Sequence, residues 1–85
     1  MKAVWKFVLH PYARNMLPVG AKPLSVHAQG DDLCLWALVD TEAPLEDREF
    51  VIVGTGHEVH DHAGAFIGTA LLANGRLVLH VFEAK

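Results

Sequence analysis

Two segments of this chain are apolar at nearly every position, "LCLWALVD" (Leu33–Asp40) and "RLVLHVFE" (Arg76–Glu83). Successive side chains of a strand point to opposite faces. Leu33, Leu35, Ala37 and Val39 therefore share one face, with Cys34, Trp36 and Leu38 on the other. In the same way Leu77, Leu79 and Val81 oppose Val78, His80 and Phe82. One face of an antiparallel sheet ordinarily meets water, so strands apolar on both faces need a second cover. The chain has 85 residues, of which 52% are apolar, with a mean hydropathy of +0.25. A single domain of this length buries only about 60–65% of the surface its unfolded chain exposes. The second faces must then be covered either by a closed or sandwiched core or by another copy of the chain.

The rest of the chain alternates strand and turn. Ala3–His10 alternates Trp5, Phe7 and Leu9 against Val4, Lys6 and Val8, and Leu24–Gln29 sets Leu24, Val26 and Ala28 against Ser25, His27 and Gln29. Gly30–Asp32 is the turn of a hairpin into Leu33–Asp40. The segment from Pro11 to Pro23 carries three prolines and a glycine and reads as an irregular loop. The acidic Thr41–Glu49 stretch reads as a surface loop with room for one helical turn. Phe50–Val53, Ala65–Ala73 and Arg76–Glu83 complete the strands, the last two flanking Asn74-Gly75. That dipeptide is the strongest hairpin signal in the chain, because a type I′ turn needs positive φ at both central residues. The expectation is one all-β domain over residues 1–85: an antiparallel meander of about six strands forming a compact barrel or sandwich, with no long helix.

Composition excludes several function classes. The formal net charge is −3, and the seven Lys and Arg residues form no run, so nucleic-acid binding through a basic patch is not expected. The apolar start is short and interrupted by Lys6 and His10, which fits neither a secretory signal nor a membrane span. Cys34 is the single cysteine. It forms no internal disulfide, which fits a reducing cytoplasm.

The stretch "GTGHEVHDHAG" (Gly54–Gly64) is the densest in chemistry-bearing side chains. His57-Glu58-Val59-His60 is one residue short of the helical H-E-x-x-H zinc motif, and the run H-x-x-H-D-H also misses the spacing of binuclear hydrolases. His57, His60 and His62 remain the weak metal-ligand candidates, with zinc or nickel the fitting ions. Gly54-Thr55-Gly56 follows a strand but lacks the third glycine, helix and lysine of a phosphate loop. It reads as a bend where the strand leaves its sheet.

Nucleophilic catalysis needs a Cys or Ser beside an oriented base. Cys34 lies in an apolar strand near His27 across the hairpin, and Ser25, the only serine, has no nucleophile elbow around it. No catalytic residue and no cofactor is expected, and the chain is not expected to be an enzyme. His80, between Leu79 and Val81, reads as a satisfied, partly buried side chain. Trp5, Phe7, Trp36, Phe50, Phe66 and Phe82 read as core. Trp36 is also an interface candidate, since tryptophan is enriched there. Tyr12 and Arg14 in the first loop and Glu42, Glu46 and Asp47 in the acidic stretch are the remaining partner-contact candidates, the acids for a basic partner surface.

Taken as a set, "CLWALVD", the acidic "TEAPLEDREF", "VIVGTGH", "FIGTALL" and "GRLVLHVFE" resemble a group of small bacteriophage and prophage proteins known as a domain of unknown function. The resemblance runs from about Pro18 to Glu83. It implies a viral or prophage gene product in the bacterial cytoplasm, and it assigns no reaction, cofactor or binding residue. It also implies that Gly54–His57 belongs to the fold, while His60 and His62 lie in a variable loop. The functional expectation is a non-catalytic accessory protein that acts by binding, as a homo-oligomer. Its further partner would be a host protein or a small signalling molecule, in a host-interaction or anti-defence role. Neither nucleic acid nor membrane is an expected partner. The alternatives are a minor structural or assembly protein of the virion and a hydrolase using a metal held by the histidine loop.

Overall fold

The computed structural model describes residues 1–11 and 14–85; Tyr12 lies outside the described residues. The fold is all-β, with eight strands in three antiparallel sheets among the described residues. Strand β1 (Lys2–Val8) pairs with β4 (Asp32–Asp40), which pairs with β3 (Lys22–Gln29), giving the order β1-β4-β3. Strand β6 (Phe50–Gly54) pairs with β8 (Leu77–Ala84), which pairs with β7 (Ala63–Leu72), giving β6-β8-β7. The third sheet joins β2 (Asn15–Pro18) to β5 (Leu45–Arg48).

Both hairpins expected from turn chemistry form. Gln29 faces Asp32 across Gly30-Asp31, and Gly30 takes φ +61°, as the first position of a type II′ turn requires. At the other hairpin Asn74 (φ +56°) and Gly75 (φ +83°) turn the chain, and Arg76 N–H donates to Ala73 O at 3.1 Å. Ala73 also takes a positive φ of 50°, a conformation that disfavours a side chain. A short 3₁₀ segment at Ala73–Gly75 is the only helical element among the described residues. No helix among them is long and apolar enough to cross a membrane.

Two strands lie where loops were expected. β2 falls in the proline-rich segment and β5 in the acidic one, and the two pair with each other, Leu17 opposite Glu46 and Asn15 opposite Arg48. Leu17 is fully buried. Asn15 is also buried; its amide accepts from His10 N–H at 2.9 Å and donates to His10 O at 3.1 Å, tying the start of β2 to the end of the first segment.

The core gathers Leu17, Val26, Leu33, Leu35, Ala37, Val39, Phe50, Ala70 and Val81 between the sheets. The sheets approach most closely where β3 passes β7. A Cβ built on Gly68 would lie 2.9 Å from Cγ2 of Val26, which is itself buried. Only glycine allows this approach. The sheets thus meet at one seam and enclose a core without closing a barrel.

The aromatic residues divide. Phe50 is buried and Phe7 packs against the core, but Trp5 is partly exposed and Phe66 is 58% exposed. Phe66 leaves the core because of a bulge. Ala70 pairs with Leu79 and Gly68 with Val81, both facing inward, and strict alternation would turn Phe66 inward as well. The register slips between Phe66 and Gly68, so Ile67 and Gly68 together oppose Val81 and Phe66 pairs with Phe82. Such a bulge re-aims the side chains beyond it. Ile67 reaches the core instead.

Candidate functional site

The outward side of β6-β8-β7 can be read row by row from the register. Phe66, Phe82 and Val51 form one row, Thr69, His80 and Val53 the next, and Leu71 and Val78 the last. Among the described residues these rows carry no Lys, Arg, Asp or Glu. His80 is the one titratable side chain, and both its ring nitrogens are engaged. Thr55 Oγ1 lies 2.7 Å from Nε2 and Thr69 Oγ1 lies 2.9 Å from Nδ1. In a neutral imidazole one nitrogen donates and the other accepts, and a threonine hydroxyl serves either role. His80 is therefore a satisfied residue that pins the start of the Gly54–His62 loop to β7 and β8.

That loop bends in two steps. His57 N–H donates to Gly54 O at 3.1 Å, with Gly56 at φ +87° inside the turn. The His57 ring then lies over Gly54, where a built Cβ would meet it at 3.8 Å. Ala63 N–H donates to His60 O at 3.0 Å, delivering the chain to β7. Gly54-Thr55-Gly56-His57 is thus a strand exit folded back over Val53, which it buries. Between the loop and the sheet lies an apolar hollow of about 210 Å³, bounded by Val53, His57, Val59, Phe66, His80 and Phe82. The Phe66 and Phe82 rings meet edge-to-face at 5.3 Å, a favoured aromatic geometry.

On the other side of the loop a cleft of about 420 Å³ runs beside β6, and His57, Glu58, His60 and His62 line it. The histidines share this cleft without sharing a focus. His60 Nδ1 pairs with Glu58 Oε2 at 3.1 Å, and the His60 and His62 rings stack at 5.9 Å. Among the described residues no three His, Cys, Asp or Glu side chains are grouped to hold a metal ion.

The acidic candidates are engaged within the chain. Asp47 Oδ2 accepts from Arg14 Nε at 3.2 Å, an exposed pair worth about 0–1 kcal/mol. Glu46 Oε2 accepts from Gly20 N–H at 3.3 Å and lies 3.7 Å from Arg48. Glu42, which is highly exposed, lies 3.3 Å from the amino group of Met1. The organising residue here is Arg48, half-buried, which donates to both carboxylate oxygens of Glu83 and to Ala21 O at 3.0 Å. Its bond to Glu83 raises the guanidinium pKa above its ordinary value, against an opposing contribution from burial. A raised pKa adds stability that is fully present below the unfolded value and fades only above it. For an arginine that window lies in strong alkali, so this contribution is constant across the neutral range.

On β1-β4-β3 the outward side is built differently. Cys34 lies directly opposite His27 and is 1% exposed. Trp36 sits between Lys6 and Ser25 on the neighbouring strands, with the His27 ring edge-on at 6.0 Å. Lys6 Nζ donates to Gln29 Oε1. Since Lys6 faces Trp36 and Gln29 faces Asp32, the lysine stem crosses β4 above Cys34. The thiol on this outward face is buried, with Val8 and His27 opposite it on either side.

Three features escape sequence reasoning: the Thr55–His80–Thr69 clamp, the hollow, and the outward Phe66. The histidine and its flanking apolar residues are visible in the sequence, but the register that brings two threonines to one ring is not. Among curated proteins and among solved structures, none matches the chain. A family model does match, over residues 1–85, and the chain belongs to that family, the domain of unknown function DUF7352.

Proposed function

We propose that this chain is a non-catalytic bacteriophage or prophage accessory protein that acts by binding in the bacterial cytoplasm. It works as a homo-oligomer and engages a host protein in a host-interaction or anti-defence role. One observation carries the self-association part of this reading. The outward face of β6-β8-β7 presents Phe66, Leu71 and Val59 to solvent around a hollow, with no charged side chain on its rows. Contiguous apolar surface rimmed by polar residues marks interaction sites in small proteins. The resemblance of the "GTGH" and "LVLHVFE" segments to phage and prophage proteins supports the setting. The ion pairs of Glu46 and Asp47 argue against assigning the host contact to the acidic segment, because a basic partner would have to displace Arg48 and Arg14.

The test is fractionation of lysate from producing cells by size exclusion with light scattering. A host-directed protein elutes apart from particles, in a complex whose mass exceeds that of its own oligomer. Co-elution with assembled particles would replace the reading by a virion role. Stoichiometric metal that survives chelation, and is lost when His57, His60 and His62 are changed together to alanine, would replace it by the hydrolase.

A further inference from the structure

We propose that a second copy of this chain covers the outward face of β6-β8-β7. The two copies pack face to face about a two-fold axis, with the Phe66 ring of each against the hollow of the other. The inference rests on the oligomeric part of the proposed function and names its surface. Four observations carry it.

The first is area. Three strands spaced about 4.8 Å apart and roughly eight residues long, with the adjoining loop, present on the order of 500–600 Å² per copy. The pair would bury about 1,100 Å² in total, at the lower end of specific interfaces and above most crystal contacts. That predicts a dimer that forms reversibly and depends on concentration.

The second is charge. A two-fold contact brings each patch against itself, so any net charge on the patch repels its copy. The rows of this face have none, and the His80 nitrogens are already bonded to Thr55 and Thr69; the carboxylates of the adjoining loop are Glu58, which pairs with His60, and Asp61. The outward face of β1-β4-β3 instead carries Lys2, Lys6, Lys22, Asp32 and Asp40, charges that a self-contact would have to desolvate or pair.

The third is shape. Two-fold packing needs a projection and a depression on one patch. Phe66 and Leu71 project, at 58% and 60% exposure. The hollow of about 210 Å³ is smaller than the roughly 300–1,000 Å³ of small-molecule sites and fits a single large side chain.

The fourth is backbone construction. The bulge before Gly68 turns outward a phenylalanine that regular alternation would bury. Exposing such a ring in a monomer forgoes its burial; a facing copy restores it.

Sedimentation velocity with light scattering on the purified full chain, from about 5 to 500 µM, tests the proposal. The wild type is expected to move from the mass of one chain to that of two across this range. Leu71→Glu and Phe66→Glu are each expected to weaken dimerisation on the order of 100-fold, since each forces a charge into an apolar contact. Val4→Glu, on the other sheet's outward face, is expected to leave it unchanged. Dilution of isotope-labelled wild type gives a readout free of substitutions: amide shifts of Val51, Phe66 and Phe82 should move while those of Val4 and Trp36 stay fixed. A wild type that stays monomeric to 500 µM overturns this inference together with the oligomeric reading. A wild-type dimer whose dilution shifts fall on Val4 and Trp36, and which Leu71→Glu leaves intact, overturns the surface assignment alone.

Discussion

On β1-β4-β3 the outward side of the central strand is covered by the chain's own side chains, while Val4 and Val8 on β1 stay exposed. Lys6 reaches Gln29 across Cys34, and His27 stands edge-on to Trp36. On β6-β8-β7 the outward residues are equally apolar, yet among the described residues no hydrogen bond carries a long polar side chain across them. Phe66 and Leu71 are largely exposed, and the polar pair of the middle row, His80 and Thr69, is bonded within itself, with Thr55 on the other ring nitrogen. Both sheets thus place apolar side chains on two faces, but only the first sends a long polar side chain across its central strand. An amphipathic stem such as that of lysine shields apolar surface while its charge stays in water. A sheet that lacks such stems leaves its second face for something outside the chain. The lesson is that two-sided apolarity alone does not reveal an interface; what decides is whether neighbouring strands carry long polar side chains at the register positions that reach across.

Trp36→Ala should have the largest effect, since the ring is half-buried and closes the roof over β4. It should cost about 3 kcal/mol by denaturant unfolding while leaving self-association untouched; lost association would erase the distinction between the faces. Gly68→Ala strikes the seam that makes both faces point away from one core. Its methyl meets Val26 Cγ2, and an overpacked site of this kind should lose about 2 kcal/mol. His80→Leu keeps roughly the same volume but leaves two hydroxyls unpaired, so stability should fall by about 1 kcal/mol. Adding Thr69→Val should recover part of that loss, and a double-mutant cycle with no coupling would show that the clamp contributes nothing. The smallest stability change is expected for Lys6→Ala, about 0.5 kcal/mol. The same variant should expose Cys34 to a thiol reagent and raise its labelling rate several-fold; an unchanged rate would mean that the lysine stem is not its cover.

The sequence made the two long hairpins visible because their turns have specific chemistry. Gly30 and Asn74-Gly75 each supply a positive φ that a β-turn demands. β2 and β5 stayed hidden for a physical reason. Leu45–Arg48 alternates no apolar with polar residues, and Pro18 ends β2 after four residues. Their pairing is set by the tertiary fold, with Arg48 reaching Glu83 and Ala21 from its end. The outward Phe66 was hidden by the bulge, because a one-residue slip moves a side chain to the other face and leaves no mark in composition. Of the candidate site, the histidine loop was legible as a polar connection and its strand-exit turn as a glycine bend. The hollow was not, since it arises where that loop folds back over a sheet face whose register only the pairing defines.

The contact between Val26 and Gly68 has a kinetic side. The β3–β4 and β7–β8 hairpins are local and close on the order of 1–10 µs, whereas these two residues lie in different halves of the chain and must find each other across a large loop. Chains governed by such distant contacts fold slowly, so the barrier to folding should lie at this one crossing. Gly68→Ala should accordingly slow refolding more than it speeds unfolding in stopped-flow measurements, making a single missing methyl group the feature that sets how fast the two halves become one molecule.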